Sequence, residues 1–152
     1  MNSCRTRYFD ALQYDPASVI RFPAGLPGFE DERHFILIEE PPRRPLLFLQ
    51  SLAAPDLCFT LLPVFVVNPD YTLRMSPEDV DLIGLNPSQQ PRIGVDVFCG
   101  VLLAIQENEI TANLLAPVVM NLASRIAVQA IQIEAHYSHC YRVATPEMVV
   151  AC

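Results

Sequence analysis

Thr111-Ala112-Asn113-Leu114-Leu115-Ala116-Pro117-Val118-Val119-Met120-Asn121 reads as two short strand-like runs broken at Ala116-Pro117. Proline has no N–H to give a sheet ladder, so it marks a bend, a bulge or an edge. A second stretch, Phe22-Pro23-Ala24-Gly25-Leu26-Pro27-Gly28-Phe29-Glu30, is a loop whose geometry the residues nearly dictate. Pro27-Gly28 suits the centre of a type II turn, because proline presets the first torsion and glycine accepts the positive φ that follows. Gly25 adds a second permissive position. Phe22, Leu26 and Phe29 would tether such a loop to a core, and Glu30 leaves a charge at its exit.

Outward from these stretches the chain is mostly short apolar runs punctuated by proline. Residues 19–22, 34–38, 46–49 and 57–62 are rich in β-branched, aromatic and leucine side chains between breakers, and are expected as strands. A further strand pair is expected across 93–105, with a turn at 106–109. Residues 126–131 are expected to complete the sheet, although their alanines leave a helix from Met120 open. One helix is signalled: Ser76 suits the N-cap, Pro77 the first helical position, Glu78 and Asp79 the first turn, and Gly84 the stop. The expected fold is all-β, a small barrel-like single domain over 1–152 with one short helix and ends fraying at 1–6 and 144–152.

Composition narrows the function. Hydrophobic residues at 51% against 18% charged favour a packed core over disorder. No run approaches the roughly 20 apolar residues that span a bilayer, and the first residues lack the apolar core of a secretion signal. A cytoplasmic protein without membrane contact is expected. The net charge is −7 and every one of the ten basic residues is arginine. An acidic chain is poorly suited to neutralising phosphates, so direct nucleic-acid binding is disfavoured and a basic partner is favoured. Five cysteines without CxxC spacing give neither a complete disulfide framework nor a four-thiolate zinc site. Cys58 and Cys99 lie in apolar runs, as core thiols do.

Candidates for catalysis are few. His136-Tyr137-Ser138-His139-Cys140 is the one cluster with metal-ligand character, and it supports an alternative reading as a small-molecule- or metal-binding β-barrel enzyme using His136, His139 and Cys140. Zinc ordinarily takes three or four ligands, and in a strand the two histidines would face opposite sides. The acidic groups Glu30-Asp31-Glu32, Glu39-Glu40 and Glu78-Asp79 with Asp81 fall in turns and a helix start, where solvation or capping accounts for them. No phosphate-cradling glycine loop is present, and the absence of lysine excludes a P-loop or Schiff-base lysine. No cofactor is expected. A binding surface remains. Phe29 beside Glu30, and Asp70 beside Tyr71, each set an aromatic ring next to a carboxylate, a pairing suited to a basic partner with an apolar anchor. Inward packing of both rings is the competing reading. Asn113 and Asn121 flank the proline break and are placed to bond exposed backbone.

In order and spacing, the two opening stretches, with Leu49-Gln50-Ser51, Pro69-Asp70-Tyr71, Gln129-Ala130-Ile131 and Tyr137-Ser138, resemble the flagellar assembly factor FliW family. The resemblance runs from about Phe22 to Tyr141. It implies a non-enzymatic protein that binds the RNA-binding translational repressor CsrA and also flagellin, coupling flagellin synthesis to export. It departs from the family pattern after Tyr137-Ser138, where His139-Cys140-Tyr141-Arg142 gives the C-terminal edge a different surface.

Overall fold

The structure, a computed structural model, describes residues 2–133 and 136–144. Its strands are β1 (Asn2–Arg5), β2 (Ala11–Tyr14), β3 (Ile20–Arg21), β4 (His34–Glu39), β5 (Leu47–Ser51) and β6 (Cys58–Pro63). After two short helices, α1 (Val64–Val67) and α2 (Pro77–Leu82), come β7 (Val97–Ile105), β8 (Ile110–Ala112), β9 (Val118–Asn121), β10 (Ala127–Gln129) and β11 (Tyr141–Ala144). The fold is all-β, as the pattern of short apolar runs predicts. Of the two ends expected to fray, Asn2–Arg5 forms a strand of an antiparallel hairpin with β2. Met1 and 145–152 lie outside the described residues.

One antiparallel path runs β10-β9-β7-β6-β5-β4-β3, with β8 and β11 branching from β7. The long strand β7 makes the branch possible. Its first half, Val97 to Gly100, pairs with β9, and its last three residues pair with β8. Between β8 and β9 the chain leaves the edge at the predicted break, with Pro117 immediately before β9. Expectation and structure differ across 93–105, where a strand pair gives way to the single strand β7. The reason is local. Gly94 adopts φ 84°, and the Arg92 carbonyl accepts N–H bonds from Val95, Asp96 and Val97, so Arg92 to Asp96 is consumed in a turn. The helix left open from Met120 is likewise strand, paired with both β7 and β10.

Closure differs too: the sheet is not a true barrel. At its two ends, β3 meets Ile126, the residue before β10, through one parallel bridge from Arg21, where the Arg21 N–H donates to the Arg125 carbonyl at 3.0 Å. Arg125, at φ 60°, also donates from Nε to the Ser18 carbonyl. The seam cannot lengthen. Pro23 offers no ladder N–H, Phe22 already donates to Arg33, and beyond β10 the N–H groups of Ala130 and Gln132 turn to Pro117 and Leu115.

Both sheet faces are covered. Leu47, Leu49, Leu61, Val118 and Met120 pack with Phe22, Leu26 and Phe35 on one side. Phe48, Leu62, Val97, Cys99, Val101 and Val119 pack on the other with Tyr71, Met75, Val80 and Ile83. Strands buried on two faces need no polar alternation, which is why these runs are continuously apolar. The predicted helix is α2. Ser76 caps it by accepting the Asp79 N–H, Pro77 opens it, and Gly84 follows at φ 82°. The sequence reading did not single out α1, one turn beginning after Pro63 and closed by the Asn68 N–H on the Val64 carbonyl.

Candidate protein-interaction surface

The six residues singled out for partner contact fall into three places. Phe29 and Glu30 sit in the loop that follows β3. Leu26 to Phe29 is the predicted turn: the Phe29 N–H donates to the Leu26 carbonyl at 2.7 Å, and Gly28 takes φ 85°. Gly25, at φ 67°, is pressed against the backbone of Glu30, so that a Cβ there would stand 2.5 Å from the Glu30 carbonyl oxygen. That approach fixes where the loop returns. Phe29 lays one edge against Phe59, centroids 5.5 Å apart, yet keeps 41% of its surface exposed. Glu30 is exposed beside it. Here an aromatic ring and a carboxylate are presented outward.

Asp70, Tyr71 and Asn113 belong to a second place with the opposite character. Tyr71 is only 5% exposed, and its hydroxyl donates to the Leu114 carbonyl at 2.6 Å. Its ring stacks on Tyr137, centroids 4.3 Å apart, and the Tyr137 hydroxyl accepts the Thr72 N–H. The Leu114 N–H donates in turn to the Ser138 carbonyl. Asn113 Oδ1 accepts the N–H groups of Leu115 and Ala116, both part-buried. Three sequence motifs thus converge on one buried knot. Burial pushes the Tyr71 phenol far above its usual range, with Cys99 and Tyr137 adding to the effect. Of Asp70, Tyr71 and Asn113, Asp70 alone is exposed, its N–H held by Asn68 Oδ1.

Asn121 forms the third place. It is buried, donating from Nδ2 to the Ile83 carbonyl at 2.8 Å and accepting from Ala123 and Ser124 at Oδ1. It ties the end of α2 to the end of β9. Phe29, Glu30 and Asp70 therefore retain accessible surface, whereas Tyr71 and Asn121 are spent inside.

Several of the chemical candidates are engaged in packing or pairing. His136, in a turn, lies against the Tyr137 ring at 4.4 Å. Among the described residues no group of three His, Cys, Asp or Glu side chains is placed to hold a metal ion, so His136, His139 and Cys140 do not form a centre there. Glu39 and Glu40 pair with Arg44 at 2.7 Å and Arg43 at 3.4 Å, and Glu32 accepts a bond from the Ser51 hydroxyl. Burial pushes the Cys99 thiol up to about 12 and the half-buried Cys58 thiol up to about 11, far from a nucleophile's range.

The sequence reading missed a group of exposed apolar residues: Phe65 on α1, Val95 in the turn before β7, and Leu122 just after β9. One signal was available. Val64-Phe65-Val66-Val67 is apolar all round, and a single helical turn on a sheet can bury only one side. Only Val64 of the four is buried, while Phe65 and Val66 are exposed.

The family model described as FliW protein matches residues 3–143. The flagellar assembly factor FliW of Heliobacterium modesticaldum is 32% identical over 139 residues, covering 91% of this chain and 88% of that protein. Its counterpart in a Geobacillus species is 31% identical over 146 residues, covering 95% and 96%. A crystal structure of the flagellar assembly factor FliW superposes with a TM-score of 0.81 at 28% identity, covering 96% of this chain and 99% of that one. The chain belongs to the FliW family of flagellar assembly factors.

Proposed function

We propose that this flagellar assembly factor works as a partner switch in the cytoplasm, binding either a CsrA-type RNA-binding regulator or flagellin. Family membership makes it an assembly factor rather than an enzyme. The observation that carries the finer reading is the charge: an acidic chain of net −7 is matched to a basic, RNA-binding partner and mismatched to RNA itself. When free, the protein holds the regulator and relieves repression of flagellin messenger RNA. Accumulating flagellin competes for it, releases the regulator and shuts translation down. No helix among the described residues is long and apolar enough to cross a membrane.

Phe29, Glu30 and Asp70 supply accessible aromatic and acidic contact. Tyr71, Asn113 and Asn121 hold backbone in place at their own positions in the fold. The test is calorimetric titration with the regulator and with flagellin from the same organism, followed by displacement of one by the other. Saturable binding to both with mutual displacement is the expected result; binding to neither by folded protein would end this reading. Glu30→Lys and Asp70→Lys are expected to weaken the regulator's affinity, by about tenfold for the pair together. Unchanged affinity in the double variant would remove these two carboxylates from the contact.

A further inference from the structure

Between α1, the turn preceding β7 and the residue following β9 runs a groove of about 260 Å³. Val64, Val97 and Cys99, all buried, lie along its floor, and Phe65 and Leu122 wall it at 45% and 42% exposure. Val95, next to the lining residue Gly94, is 59% exposed. Among the described residues no charged side chain lines the groove. Apolar surface gathered in one concave place, rather than scattered singly, marks a site of association. Phe98 contributes through an arrangement built on glycine: a Cβ on Gly100 would stand 2.8 Å from its ring, so the ring lies down only because Gly100 is bare.

The surroundings are acidic. Asp96 stands between Val95 and Val97 in the chain, and its backbone carbonyl accepts the Leu122 N–H. The neighbouring α2 carries Glu78, Asp79 and Asp81 and no basic residue, and its end is bonded to Asn121, beside Leu122. Arg92 and Asp96 pair with each other, Nε to carboxylate 3.3 Å, so the acidic character beside the groove comes from α2. We infer that this groove docks a partner segment bearing large apolar side chains flanked by lysine or arginine. The apolar anchors fill the groove between Phe65 and Leu122, and the flanking cations meet the carboxylates of α2. The inference extends the partner-binding reading above by giving one contact its chemistry.

The chain has no tryptophan, so a tryptophan-bearing peptide reports its own burial without background. The probes are a short synthetic peptide of tryptophan and leucine flanked by lysines, and the same peptide flanked by glutamates. Saturable blue-shifted fluorescence is expected with the lysine peptide, with about tenfold weaker binding or less from the glutamate one. Leu122→Lys and Val95→Lys, checked for folding by circular dichroism, are each expected to lose lysine-peptide binding. Val95→Lys carries the test if Leu122→Lys does not fold. Equal binding of both peptides, or undiminished binding to folded variants, overturns the inference. The regulator and flagellin are titrated in parallel against wild type and variants. If they bind all forms alike while the peptide is indifferent to the substitutions, the groove fails and the switch stands. If neither partner binds wild type while the lysine peptide binds and the variants lose it, the switch fails and the groove stands.

Discussion

Phe29-Glu30 and Asp70-Tyr71 carry the same signature, an aromatic ring beside a carboxylate in a loop, and the fold treats them in opposite ways. Phe29 rests one edge on Phe59 and stays substantially exposed; Tyr71 is buried between Tyr137 and the Leu114 carbonyl. The difference lies in what each ring can do when dry. A phenol with an unpaired backbone carbonyl in reach can be buried with its polar end satisfied. Phenylalanine has no such end, and its burial is decided by the space the loop leaves. Adjacent residue types therefore identify candidates for recognition, and the availability of a distant hydrogen-bond partner decides which candidate remains at the surface.

Truncation of the two rings separates the regions most strongly. Tyr71→Ala is expected to cost about 4 kcal/mol, and Phe29→Ala about 1 kcal/mol, in denaturant titration. Equal costs would show that exposure misstates their roles. Gly25→Ala comes next, at about 3 kcal/mol, because the new Cβ meets backbone and the φ of 67° is itself unfavourable for alanine. A loss that large would show that the Phe29 loop is held as rigidly as the Tyr71 knot despite its exposure. Tyr71→Phe isolates the hydroxyl. About 1.5 kcal/mol is expected, since the Leu114 carbonyl loses its donor inside the core.

The smallest effect is a pH dependence that separates the buried region from the loop. Burial raises the pKa of Tyr71, Cys99 and Cys58, so each neutral form is favoured by folding. Their stabilising contribution is complete below the unfolded values, about 8.5 for a thiol and about 10 for a phenol, and is lost as pH climbs past them. The melting temperature is expected to fall through the alkaline range, less steeply in Cys99→Ala and unchanged in slope by Phe29→Ala. An alkaline slope indifferent to Cys99→Ala would remove that thiol from the account.

Much of this architecture was legible because local chemistry and final structure agree. Pro27-Gly28 gave its turn, Ser76-Pro77 its capped helix, and Ala116-Pro117 its break, each because one residue type restricts φ or removes a donor. The strand runs were legible for their apolar content. What escaped depends on partners distant in sequence. The Tyr71–Leu114 bond spans 43 positions and the Thr72–Tyr137 bond 65, and nothing within either segment announces the other. Barrel closure escaped for a related reason: an apolar strand pattern does not reveal whether the first and last strands meet along a ladder or at a point. Phe65, one wall of the groove, escaped because nothing in its own run fixes which side of the turn after Pro63 faces the sheet.

That point of closure sets the order in which the molecule comes apart. β4 and β5 are matched over five residue pairs, whereas the two ends of the sheet share one bridge and the reach of a single arginine. Partial opening starts where the fewest bonds must break. The protein is a bracelet with Arg125 as its clasp. Deuterium should enter at Arg21 well before it enters at Leu49, and the clasp can release while the rest of the band stays whole.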